Sequence, residues 1–223
     1  MIQNIHTIVK TQFNLPEIRA LAEYTVGVCE LDLFFIREYI NYKGCKRVLE
    51  FGTGTSTVFL NNIGQRVDTF AVDCPVPGLN PEKYRNVSYN TLHIDDSNID
   101  KFVNLSNDCD LIFIDADHSA KFAELYYTRL IEKIKKPCVI HDIFYTYNQP
   151  GAYKWGECEY LKSQLALETS LYNVIIHTDI PDQYTDDVSG MINYDVNQQR
   201  RGNNGYGATR PPTCTMFIEP KSI

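Results

Sequence analysis

The sequence has no concentrated basic face: 21 Lys and Arg stand against 28 Asp and Glu, for a formal charge of −7. The bases are scattered, apart from Lys133, Lys135, Lys136 and the pair Arg200-Arg201. Nucleic-acid-binding surfaces gather their positive charge, so a polyanionic partner is not expected. No run of ~18 apolar residues occurs, so there is no candidate for a membrane span. The start, Met1-Ile2-Gln3-Asn4-Ile5-His6, lacks the basic and then apolar pattern of a secretion signal. Seven cysteines are an odd set, no two of them at Cys-x-x-Cys spacing, so neither a disulfide framework nor a zinc knuckle follows. There is no internal repeat and no low-complexity segment. Together these absences predict a cytoplasmic protein with reduced thiols and no membrane or nucleic-acid partner. A homo-oligomer is compatible with all of them.

What the chain does have is enough apolar material for a full core, 43% of 223 residues, which suits one domain. Residues 1–45 read as an N-terminal helical segment packing on the core and on the acceptor side of a site. Pro16 follows Asn14 at a helix start, and Ile18, Leu21 and Ala22 recur at helical spacing. Leu31, Phe34, Phe35, Ile36 and Ile40 then form a broad apolar face that ends at Gly44.

From Lys46 short apolar runs alternate with helical stretches, the pattern of a parallel sheet with helices on both faces. The runs are 47–51, 67–72, 87–94, 110–114, 137–141, 172–180 and 213–218, predicting a seven-stranded Rossmann-like α/β core over 46–223. Between the fourth and fifth, Phe122, Leu125, Leu130 and Ile134 form one helical face, with Ser119 as a candidate cap. The last two strands are separated by a polar, turn-rich insertion at 181–212, which predicts an antiparallel final strand and either a substrate lid or a passive excursion.

The first strand runs into Glu50-Phe51-Gly52-Thr53-Gly54-Thr55-Ser56, a strand, glycine turn and helix start. Glycines there let the backbone turn tightly against a ligand. A dinucleotide fingerprint would place a third glycine where this chain has Thr57, which weighs against a nicotinamide-dependent oxidoreductase. Three acidic positions follow at successive strand ends: Glu50, Asp73 and the pair Asp95-Asp96. Asp73 lies 21 residues beyond Gly52, an interval that suits a carboxylate binding ribose hydroxyls. Glu50 suits the ammonium of a methionine moiety, whereas it would repel a pyrophosphate.

In their order and spacing, Val48 to Ser56, Ala71-Val72-Asp73 and Asp110 to His118 resemble the successive motifs of class I S-adenosylmethionine-dependent methyltransferases, over roughly residues 46–180. The resemblance implies a seven-stranded sheet with an antiparallel final hairpin. It implies S-adenosyl-L-methionine as cofactor, with Glu50, Gly52, Thr53, Gly54 and Ser56 at its methionine end. Asp73 would take the ribose, Asp95 or Asp96 the adenine, and Asp115 would close the site.

Asp115, Asp117 and His118 follow the fourth strand, and His141 and Asp142 the fifth, so both groups should open on one rim. Such a set can hold Mg²⁺ or another divalent cation, or supply a general base for a hydroxyl proton. The pairing resembles the metal-dependent O-methyltransferases of catechol and sugar type. That resemblance makes Asp115 and Asp142 metal ligands and places Asp117 at the base of the sugar type. His141 stands where an acid is expected, so it is a candidate third ligand. In a metal-free version His118 or His141 is the base, with Asp142 orienting it. Tyr145, Tyr147, Trp155 and Arg201 are candidate substrate contacts, aromatic faces and a cation suited to a small-molecule or saccharide acceptor. The competing expectations are an NAD-dependent oxidoreductase and a catalytically inactive methyltransferase-fold binding protein.

Overall fold

A computed structural model of the chain describes residues 2–4, 15–23, 28, 30–70, 83–90, 94–143, 156–167, 170–176 and 215–221. Asp73, Tyr145, Tyr147, Trp155, Arg201 and the insertion at 181–212 lie outside these residues. The strands are β1 (Ile2–Asn4), β2 (Arg47–Phe51), β3 (Arg66–Phe70), β4 (Val87–Asn90), β5 (Leu111–Ile114), β6 (Cys138–Ile140), β7 (Tyr172–Ile176) and β8 (Met216–Pro220). They form one sheet in the order β1-β7-β8-β6-β5-β2-β3-β4. Every pairing is parallel except those of β8 with β6 and β7. The expected seven strands are present with an antiparallel last strand. The N-terminal segment adds an eighth, at the edge beside β7, where only helix was expected.

The helices are α1 (Leu15–Ala22), α2 (Glu30–Lys43), α3 (Thr55–Asn62), α4 (Ile99–Ser106), α5 (Ala120–Tyr126), α6 (Glu132–Ile134) and α7 (Gly156–Leu165). Strand side chains alternate between the two faces of the sheet with the period of two that a pleated strand imposes. Val48, Leu111, Phe113, Val139, Ile175 and Phe217 pack with residues of α1, α2 and α3. Their neighbours Leu49, Phe51, Ile112, Ile114, Ile140 and Ile218 pack with α4, α5 and α7. Each such side chain stabilises the fold by roughly 1.5–3 kcal/mol on burial. The result is a three-layer sandwich whose strand order reverses between β2 and β5, and open sheets of this kind bind ligands at the carboxyl ends of the strands flanking that point.

The helical face expected across Phe122 to Ile134 is present, with Phe122 and Leu130 buried and Leu125 and Ile134 packed against the same core, but the helix is not α throughout. A π-helical turn at Tyr127–Ile131 joins α5 to α6, and the hydroxyl of Tyr172 donates to the Ile131 carbonyl. Helix α7 was not anticipated. Its buried residues are Glu157, Cys158, Leu161 and Leu165, a narrow face on an otherwise polar helix. Among the described residues no helix is long and apolar enough to cross a membrane.

Candidate active site

The loop after β2 is closed on itself. Gly52 adopts φ 98°, and a Cβ there would stand 1.6 Å from the carbonyl oxygen of Asp115, so only glycine fits. The Gly52 amide donates to the Phe70 carbonyl (2.9 Å) and the Asp115 amide to that of Phe51 (2.8 Å), binding the loop between its two neighbouring strands. Thr53 shares a hydroxyl contact of 2.8 Å with Thr69, and the Gly54 amide donates to the Thr57 hydroxyl at the start of α3. Glu50 points to the same face as Val48 and is fully buried. Its two oxygens accept hydrogen bonds from Ser56 and Thr57, both at 2.6 Å. Burial pushes its carboxyl up to about 7, with the hydroxyls of Ser56, Thr57 and Thr69 pulling the other way. Thr57, the residue that breaks the dinucleotide fingerprint, thus has a place of its own: it ties the helix start to Glu50.

At the tips of β5 and β6, Asp115, His118 and Asp142 bring one donor atom each to within 4.8 Å of one another. His141 stands behind this trio. His141 turns to the α2 face while its Nδ1 stays 3.6 Å from Asp142 Oδ1, so the adjacent pair remains in contact although only Asp142 belongs to the trio. His141 is 1% exposed, with Nδ1 3.2 Å from Asp115 and Nε2 3.7 Å from Asp32 of α2, itself 1% exposed. Burial works against the charge on Asp115, but the facing His141, with His118 beyond, outweighs it and holds the carboxyl below its usual range. The chain leaves β6 through Asp142 in a left-handed conformation, φ 59°, which costs a non-glycine residue ~1 kcal/mol or more and recurs at functional sites.

His118 lies on the opposite side. Its Nδ1 is 2.7 Å from Glu157 Oε2, its Nε2 is 3.8 Å from Asp142, and Tyr126 donates to Glu157 Oε1 at 2.7 Å. Burial depresses His118, but Glu157 first and then Asp142 and Asp115 favour the imidazolium, and the balance lies above the ordinary histidine range. Local packing makes this reach possible. A Cβ on Gly156 would meet Ala120 at 2.8 Å, so glycine lets α7 begin against α5, and the Glu157 amide donates to the His118 carbonyl.

The remaining predicted residues are elsewhere. Asp117 is exposed, accepting from the Ser119 amide (2.9 Å) and hydroxyl (3.0 Å), while Ser119 caps α5 by accepting from the Phe122 amide. Asp95 is tied into a turn by the amide and hydroxyl of Ser97, and Asp96 is exposed near Arg129. Asp32, Tyr126 and Glu157 belong to the site but were not read from the sequence. An acid set inside the apolar run from Leu31 to Ile36 is the signal that could have found Asp32. Glu157 gives no comparable signal.

Neither the protein-family models nor the curated proteins give a match to this sequence. Solved structures do. A Klebsiella pneumoniae protein assigned as an O-methyltransferase superposes with a TM-score of 0.55 over 98% of this chain and 94% of its own, at 13% identity. The O-methyltransferase from Bacillus cereus, in complex with SAH, gives 0.51 over 97% and 95%, at 16% identity. The O-methyltransferase TomG from Streptomyces achromogenes, involved in tomaymycin synthesis and in complex with SAM, gives 0.50 over 96% and 92%, at 14% identity. The chain has the methyltransferase fold. In that fold, the glycine loop of this chain and its Asp115, His118 and Asp142 lie at the carboxyl ends of three adjacent strands, β2, β5 and β6.

Proposed function

We propose that this chain transfers the methyl group of S-adenosylmethionine to a hydroxyl of a small molecule, a saccharide foremost. One observation carries the reading: in a methyltransferase fold, two carboxylates and an imidazole converge at strand ends directly against the Gly52 loop. Gly52, Thr53, Gly54 and Ser56 take the methionine end of the donor, with Glu50 holding the loop from beneath. Asp73 takes the ribose and Asp95 or Asp96 the adenine. Tyr145, Tyr147, Trp155 and Arg201 receive the acceptor, their rings suiting the apolar faces of a sugar.

The trio suits a divalent cation. It offers hard oxygen donors and one nitrogen, and among the described residues Asp32 and Glu157 bring the surroundings to four carboxylates against two imidazoles. Asp115, His118 and Asp142 would hold the ion, which lowers the pKa of a hydroxyl bound to it. The carboxylates also accept hydrogen bonds from the acceptor, orient it and receive its proton. A second, metal-free reading has His118 Nε2 as the base, and the 2.7 Å bond that orients its ring through Glu157 favours it.

Calorimetry with S-adenosylmethionine, its demethylated product and NAD tests the donor. Binding of both methyl-cycle compounds and not of NAD is expected; binding of NAD alone overturns the reading. Mass spectrometry of sugars and other small hydroxyl compounds incubated with labelled donor tests the acceptor. Turnover unchanged by EDTA would select the metal-free version.

A further inference from the structure

In the metal-dependent form of the reaction Glu157 has been given no part, yet it lies beside the trio with its side chain only 2% exposed. Both its oxygens are taken: Oε1 by the Tyr126 hydroxyl and Oε2 by His118 Nδ1, each at 2.7 Å. A carboxylate in this position keeps a proton on Nδ1, so when the ring gives up its other proton, as on binding a cation, the lone pair is on Nε2. The ring is turned so that Nε2 faces Asp142, 3.8 Å from Oδ2, beyond hydrogen-bonding distance but within the spread of the trio. A carboxylate behind the far nitrogen of an imidazole is how metal-ligating histidines are oriented and made more basic.

We infer that Glu157 is a positioning residue, braced by Tyr126, that fixes His118 as a nitrogen ligand, so that the site takes a first-row transition dication in preference to Mg²⁺. The inference rests on the metal-dependent form of the methyl-transfer reading. An all-oxygen set suits Mg²⁺ or Ca²⁺, whereas an imidazole shifts preference along the transition series. The order of influence runs from Tyr126 through Glu157 and His118 Nδ1 to Nε2, without any residue of the glycine loop.

The test uses the full chain titrated with Co²⁺ and, separately, with Mg²⁺. Proton NMR of the Co²⁺ protein is expected to show a hyperfine-shifted, solvent-exchangeable resonance from the Nδ1 proton, absent in His118→Asn. Glu157→Gln should weaken Co²⁺ roughly 10- to 100-fold and leave Mg²⁺ nearly unchanged, with Glu157→Ala weaker still. A Co²⁺ protein without that resonance, or equal Co²⁺ affinity in all variants, overturns the inference. Should Glu157→Gln fail to fold, as judged by circular dichroism, the resonance in the parent and its loss in His118→Asn decide alone. Donor calorimetry separates the two claims. Donor binding without the Co²⁺ signature defeats this inference only, and the signature without donor binding defeats the methyl-transfer reading only.

Discussion

At the glycine loop a single buried carboxylate, Glu50, is met by neutral hydroxyls from Ser56 and Thr57, with Thr69 alongside. At the tips of β5 and β6, by contrast, Asp32, Asp115, Asp142 and Glu157 crowd around only two imidazoles. The carboxylate of the first region is thus satisfied by its own loop and helix start. Among the described residues the second region sets four carboxylates against two imidazoles, a donor set that suits a cation or a proton. A shared sheet rim therefore carries two different kinds of chemistry, which the proposed function reads as one that holds the donor and one that reacts.

The largest effect expected comes from removing the seam between the regions. Gly52→Ala forces a methyl into the Asp115 carbonyl at a positive φ and should cost at least ~4 kcal/mol in urea unfolding. A loss below ~1 kcal/mol would mean that the two regions part freely.

The next test concerns the buried carboxyl of the first region. Glutamate in the unfolded chain titrates near ~4.3, whereas Glu50 in the folded protein titrates at about 7. Between those values the folded protein keeps a proton that the unfolded chain releases, so this group makes stability fall as pH rises, by on the order of 3 kcal/mol, and then level off. Glu50→Gln should remove that slope, read as the difference between the denaturation curves of variant and parent from pH 4 to 8. A parent that gains stability relative to the variant across this window would show Glu50 ionised within the fold.

The smallest effect marks the outer edge of the second region. Asp117→Ala should cost about 1 kcal/mol through its turn with Ser119 and change turnover less than tenfold. His118→Ala should lower turnover more than a hundredfold. Equal losses in the two variants would extend the reacting region out to the exposed turn.

Much of the sheet was legible because its strands are short apolar runs bounded by turns. Arg47–Phe51 was read residue for residue, and the neighbouring run began one residue later than the strand. The edge strand Ile2–Asn4 was not legible: three residues carry no alternation, and its partner Val174–Ile176 lies far along the chain. The ionisable residues after the fourth and fifth strands were legible as a group. Their division was not, since nothing in the sequence says that His118 joins Asp115 and Asp142 while His141 is buried behind them against Asp32. Asp32 and Glu157 escaped for a related reason. Helical periodicity locates apolar faces and assigns acids to solvent, so an acid held inward by a histidine is read on the wrong side. In Gly156–Leu165 the buried face is so narrow that the helix itself went unread.

The close approach of Gly52 to the Asp115 carbonyl also bears on rate. With main-chain hydrogen bonds on both sides of that contact, the separation between the glycine loop and Asp115, which the proposed reaction assigns to donor and acceptor, is set by the fold itself. Its entropy is already spent in folding, and none remains to be lost at the moment of reaction. In the proposed reaction, side-chain substitutions around the rim then change which acceptor atom attacks the methyl carbon and how readily, while the spacing of loop and carboxylate stays the one that the backbone built.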